Sequence, residues 1–213
     1  MKRIANGTFG ERCWWCGEGP LYVAYHDHEW GFPIAHDRRL FDKLVLEGFQ
    51  SGLSWLTILR KREDFRRAFA GFDIEAVARF GKADVVRLLC DAGIVRHRGK
   101  IEAAIASARA ALGLIERHGS LAAFVGRFDP PAHERPARLA RAALDALRST
   151  KHATALATER KRAGFGFVGP TRVYAFMQAM GLVNDHIEGC PTGGAVRRAG
   201  AAFVVPKSSS APP

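Results

Sequence analysis

No apolar run in the 213 residues approaches the ~20 that a membrane-spanning helix needs, so a bilayer span is excluded. The opening stretch, MKRIANGTFGERC, has basic residues but lacks the apolar core of a secretion signal, and a cytoplasmic protein is expected. The alternating pattern of half-buried strands is missing too, as is any internal repeat. Cysteine is scarce: four in a chain of this length are not a disulfide framework. Acidic residues are also short, 21 against 32 Lys plus Arg, which leaves a net charge of +11. A polyanionic partner fits that excess, because neutralising phosphates releases counterions and steers association. An Arg- and Ala-rich composition produces the same excess without any such partner, so charge alone leaves both readings open.

What is present is helical periodicity. Asp37 is placed to cap a helix carrying Leu40, Phe41, Leu44 and Val45 that ends near Gly48. Ser54 opens another, with Trp55, Ile58, Leu59, Phe65 and Phe69 on its apolar side. Asp73 precedes IEAVARF, and Asp84 starts VVRLLCDAG, which Gly93 stops. A longer helix is expected from about Lys100 to His118, with a short one after Ser120. The prolines of DPPAHERP (129–136) require a loop. Two further helices bracket GFGFVGP (164–170), one ending near Ala163 and one running from Pro170 to Met180. Residues 1–10 and the tail from 196 to 213 read as disordered, around a single domain at 11–195 that has room for two helical lobes and a cleft.

Three of the four cysteines call for chemistry. Cys90 reads as a small core residue beside Val86 and Leu89. Cys13, Cys16, His26 and His28 lie near one end, and His186 and Cys190 lie four apart near the other. One helical turn or a tight loop lets such a pair face one ion, so a four-ligand structural zinc site drawn from both ends is expected. Spacing leaves open whether Cys13 joins Cys16 or His26, and His28 falls outside the ligand set.

Two other segments invite a functional reading. GFGFVG joins two helices through a turn whose glycines leave backbone N–H groups bare, and the second helix adds its positive end. That is how a helix–hairpin–helix element holds a DNA backbone without reading sequence. ERKR (159–162) and Arg172 flank it, and RHRGK (96–100) is a second basic loop, either phosphate-contacting or solvated. Glu47 interrupts the apolar stripe of LVLEGFQSGLSW. A buried carboxylate is costly without a purpose or a partner, although a helix-terminal Glu facing solvent gives the same pattern. Tyr22, Tyr25, Trp30 and Trp55 supply aromatics suited to a planar, electron-poor ligand, or simply to a core.

Four blocks, PLYVAYHDHEWGFP (20–33), LFDKLVLEGFQSGLSWLTILRKRE (40–63), DAGIVRHRGKI (91–101) and GFGFVGPTRVYAFMQAMGLVNDHIEGC (164–190), resemble the 3-methyladenine DNA glycosylase I family in order and spacing. The likeness spans roughly residues 11–190. It implies an all-α, helix–hairpin–helix glycosylase fold with one structural Zn2+ held by Cys13, His26, His186 and Cys190. It implies that Glu47 contacts the flipped base, that Trp55 stacks on it, and that Tyr22 and Tyr25 complete the pocket. Gly52 and Leu53 then press into the gap in the duplex, while Gly164, Gly166, Val168, Gly169 and Thr171 of the hairpin hold phosphate. The partner would be double-stranded alkylated DNA, and the protein a monomer.

The chemistry such a family performs can be argued physically. Methylation at N3 makes adenine a cation, so the glycosidic bond is weak and the base departs neutral. Flipping the base costs a few kcal/mol, least for a damaged one. Glu47 can accept from the exocyclic N6 amino group, whereas guanine presents another acceptor there. No lysine lies between Phe165 and His186, which speaks against a Schiff-base lyase. Related glycosylases place an Asp after the hairpin; here VNDH puts Asn184 at that position and Asp185 one residue off. The implied activity is a monofunctional hydrolase. The rivals are a non-catalytic lesion-binding protein of the same fold and a catalytic zinc hydrolase, which four protein ligands disfavour. Residues 129–149 depart from the family pattern, and Arg160 stands where an apolar residue is expected.

Overall fold

A computed structural model describes residues 12–135 and 139–207. Its centre is a helix buried along almost its whole length, the segment where the apolar stripe is densest. After a 3-10 turn at Trp14–Cys16 and α1 (Pro20–His28), α2 (Asp37–Phe49) buries Leu40, Phe41, Leu44, Val45, Leu46 and Phe49. It also buries Asp42, Lys43 and Glu47, so polar groups enter the interior from the central helix. The helices α3 (Trp55–Arg60), α4 (Arg62–Ala68), α5 (Ile74–Ala78) and α6 (Lys82–Cys90) follow in short steps. The long α7 (Arg98–His118) packs against α5, α6 and α2, and α8 (Leu121–Gly126) closes over α7 and α2. α9 (Arg141–Ala146), α10 (Lys151–Ala163), α11 (Pro170–Ala179) and α12 (Pro191–Ala202) complete the fold. α10 and α11 pack as a pair, with α11 also against α2. Among the described residues there is no strand, and no helix is long and apolar enough to cross a membrane.

Several starts and stops follow the side chains that were expected to set them. Ser54, Asp73 and Ser120 accept from the backbone N–H three residues on, at 3.1, 2.9 and 2.9 Å. Asp37 instead lies inside the first turn of α2, with His36 at the cap, and its carboxylate accepts from Ala122 N of α8 at 3.2 Å. Asp84 lies on the first turn of α6, where it accepts from Gly81 N at 3.0 Å.

Other expectations are corrected. The single helix expected after Ser54 is two, because Lys61 leaves helical geometry (φ −95°, ψ 1°) and reaches the carbonyls of Ala92 and Gly93 at 3.0 and 3.1 Å. Cys90 is exposed rather than core, since the buried positions of α6 are Val85 and Leu88. The expected tail from 196 holds α12 through Ala202, which buries Thr192, Gly193 and Val196. Its small residues let it lie on His186, where a Cβ added at Gly193 would stand 3.0 Å from the His186 Cβ. The loop at 129–136 contains a 3-10 turn, Ala132–Glu134. The disorder expected at 1–10 and 208–213, and the loop end at Pro136, lie outside the described residues.

Candidate active site and metal cluster

The pocket begins with Glu47 on the last turn of α2. Its side chain is 6% exposed, and Oε1 pairs with Lys43 Nζ at 2.9 Å. Oε2 is buried with no partner among the described residues. Glu47 lines a cavity of about 190 Å³ with Trp55, Tyr22, Tyr25, Trp15 and Asp185. Trp55 enters from the first residue of α3 because Ser54 caps that helix, and its Nε1 is likewise buried and unpartnered. Tyr25 and Trp55 rings lie 5.4 Å apart at 46°, and Trp15 packs against Tyr22 at 5.2 Å. Burial pushes the Tyr22 phenol up to about 12 and raises that of Tyr25 well above its ordinary value, so both stay neutral. The cavity therefore offers aromatic faces, one free carboxylate oxygen and one free indole N–H.

The sequence left seven cavity residues unassigned: Trp14, Trp15, Lys43, Gln50, Leu144, Ala175 and Gln178. Lys43 had a signal, its i,i+4 relation to Glu47 within an apolar stripe. The two tryptophans lie in a 3-10 turn that local patterning does not announce. Asp185, one residue off the expected aspartate position, does reach the cavity. It accepts from Tyr174 OH at 2.5 Å and Gln178 Nε2 at 2.8 Å, and burial raises its pKa.

Behind this pocket, Cys13, His26 and Cys190 bring their ligand atoms within 4.8 Å of one another, all buried. His26 Nδ1 donates to the Asp27 carboxylate, 2.7 Å away, which leaves Nε2 facing Cys190 Sγ at 3.5 Å. His186 stands beside them, its ring 5.0 Å from that of His26, with Nδ1 at Asn184 Oδ1 (2.9 Å) and Nε2 buried and unpartnered. Cys16 is outside this group; its thiol donates to the Cys13 carbonyl at 3.1 Å, and His28 is exposed. The Cys13–His26 alternative is thus the one the fold assembles.

Gly52 has φ +79°, a conformation that suits glycine, and it leaves Leu53 39% exposed. Gly164 ends α10 at φ +102°, and Gly169 precedes α11 with open space around it. Gly166 is required for packing, since an added Cβ would meet Ala103 Cβ at 2.5 Å, and its N–H points to Ser107 Oγ at 3.3 Å. Val168 is buried and Thr171 exposed, while Phe167, just before Val168, is 40% exposed. In the basic loop, Lys100 is neither solvated nor free for phosphate: its Nζ donates to the carbonyls of Phe49 and Ser51 at 2.9 and 2.5 Å.

Among the described residues the body is helical, encloses an aromatic cavity lined by the carboxylates of Glu47 and Asp185, and bears a glycine-rich turn between α10 and α11. The sequence matches the methyladenine glycosylase family over residues 15–193, and the chain belongs to that family. It is 47% identical over 180 residues to DNA-3-methyladenine glycosylase 1 of Escherichia coli K12, covering 84% of this chain and 95% of that one. It is 40% identical over 187 residues to DNA-3-methyladenine glycosylase of Haemophilus influenzae, covering 84% and 96%. The structure of 3-methyladenine DNA glycosylase I from Staphylococcus aureus superimposes with a TM-score of 0.80 at 36% identity, covering 88% and 98%.

Proposed function

We infer that this chain is a base-excision glycosylase that hydrolyses the N-glycosidic bond of 3-methyladenine in alkylated DNA, leaving an abasic site. The observation that carries the reading is the unpartnered Glu47 Oε2 in a cavity walled by Trp55, Tyr22 and Tyr25. That oxygen accepts from the N6 amino group of a flipped adenine, while the aromatic faces favour its positive ring. An unmethylated base has no such charge to offer, and guanine sets an acceptor against an acceptor. Because the substrate is already a cation, the base leaves neutral, and Glu47 acts as a base selector. Its other oxygen pairs with Lys43 while the pocket holds no base. No lysine lies from Phe165 to His186, and the Lys43 amine is engaged by Glu47 and Tyr25, which supports a monofunctional reading.

The substrate is duplex DNA and the protein acts as a cytoplasmic monomer. The α10–α11 turn serves as a helix–hairpin–helix: Gly164 and Gly166, whose N–H groups donate to the Lys161 carbonyl and to Ser107 Oγ, shape the turn, and the backbone of Val168 and Gly169, with Thr171, holds phosphate at the positive end of α11. Leu53, raised by Gly52, fills the space left by the base. Cys13, His26 and Cys190, with His186 as fourth ligand, hold a structural zinc. The unpartnered His186 Nε2 beside a Cys–His–Cys group supports this donor set. When bound, the ion supplies a tether between the two ends of the chain, and four protein ligands leave no place for water.

Incubation with N-methylated duplex DNA and chromatography of the released bases tests the reading. Free 3-methyladenine is expected, with little 7-methylguanine; no released base would sink it. Glu47→Gln is expected to lose release by about 100-fold or more, the loss of a pre-positioned charged partner, while retaining DNA binding.

A further inference from the structure

Lys43 lies one turn before Glu47 on α2, its side chain 7% exposed. Its Nζ stands 2.9 Å from Glu47 Oε1, 2.8 Å from the Tyr25 hydroxyl and 3.2 Å from the centre of the Trp55 ring. The groups that hold this ammonium are therefore three of the four assigned above to the base. Carbon layers in contact lie about 3.5–4.0 Å apart, so an atom 3.2 Å above the indole occupies the layer a stacked base would take on that face.

We propose that the Lys43 ammonium is a resident occupant of the base site, a competitor built into the chain that every incoming base must displace. The proposal rests on the reading of Glu47 and Trp55 as base contacts. A buried carboxylate without a counter-charge costs several kcal/mol, and the bare indole face favours a cation. Between substrates, Lys43 meets both needs. A methylated adenine brings a positive ring to Trp55 and N–H donors to Glu47, so it replaces the ammonium in kind.

The displaced group has a place to go. Lys43 also lines a second, smaller hollow with Asp42, Glu29, Arg39, Arg62 and Arg66, which shares Tyr25 and Trp55 with the first. Arg62 is engaged with Glu29 at 2.6 Å, and Arg66 holds Asp42 Oδ2 at 2.8 Å. Asp42 Oδ1 is buried and has no partner among the described residues. A carboxylate oxygen is thus waiting where a retreating ammonium would arrive. Displacement taxes all bases alike and sets a threshold. An intact adenine, which must also break its pairing and stacking, reaches it least often.

The test is calorimetric titration of free 3-methyladenine into the full chain and into Lys43→Met and Lys43→Gln. Gln keeps a donor for Glu47 but puts no cation on Trp55, so it decides the matter if the Met variant fails to fold. Both substitutions remove the competitor, and binding about tenfold tighter is expected, with KM for methylated DNA falling in step. Unchanged or weaker binding in a variant that melts normally would overturn the proposal and make Lys43 a plain pairing residue. Glu47→Gln is titrated in parallel. If it binds like the unaltered chain, the base-pocket reading fails; if it weakens while the Lys43 variants do not tighten, only the Lys43 inference fails.

Discussion

Arg160 illustrates how a single side chain can run against its surroundings. It is 4% exposed on α10, its Nε has no partner among the described residues, and its guanidinium lies 5.1 and 5.6 Å from the rings of Phe165 and Phe176. Burial lowers its pKa, with Glu47 the opposite charge that works against the shift. Two desolvated ring contacts contribute about 2 kcal/mol each, which offsets only part of the cost of desolvating a cation. Arg160→Leu is therefore expected to stabilise the fold by about 1–2 kcal/mol, since a leucine fits between the two phenylalanines without an orphaned donor. For a chain of this size that raises the thermal midpoint by about 2–4 °C per kcal/mol. A lower midpoint in a melting experiment would mean that the ring contacts outweigh desolvation.

At the scale of elements, the end of α2 and the start of α7 act as one unit. Lys100 donates to the carbonyls of Phe49 and Ser51, groups that a helix end leaves without partners. In doing so it fixes the turn that raises Leu53. Lys100→Met leaves two carbonyls without their charged donor and is expected to cost about 2–3 kcal/mol. Its sharper effect should be on duplex DNA: base release falls while binding of free 3-methyladenine stays unchanged, because the pocket is intact and only the wedge has loosened. Equal loss on both would show that the turn supports the pocket as well. This coupling was not legible in the sequence, where RHRGK reads only as a basic loop. Local rules did find Ser54, Asp73 and Ser120 as caps, because capping acts over three residues. They missed the break at Lys61, since its cause is the pair of carbonyls at Ala92 and Gly93, about thirty residues away. They also missed α12, whose small residues gain their meaning only by lying on His186.

The whole molecule poses the same problem of distance more strongly. Glu47 and Trp55 could be singled out from one stretch of chain, but the pocket they serve is closed by Trp14, Trp15 and Asp185, from opposite ends of the sequence. Those ends meet at the cluster of Cys13, His26 and Cys190, with His186 beside it. On the proposed zinc reading, the metal is a structural strap, and its removal has a definite signature. The free energy of binding the ion is released as folding free energy, so chelation is expected to lower the thermal midpoint markedly and to detach the two terminal segments. Base release should be lost along with the pocket, and both should return when zinc is restored. His186→Ala, which removes one of four ligands and leaves the pocket side chains in place, should lower zinc content and midpoint together. At a temperature well below its midpoint it should still release 3-methyladenine, because no proposed step passes through the metal. A variant fully folded at that temperature yet without activity would contradict the strap and require the ion in the chemistry.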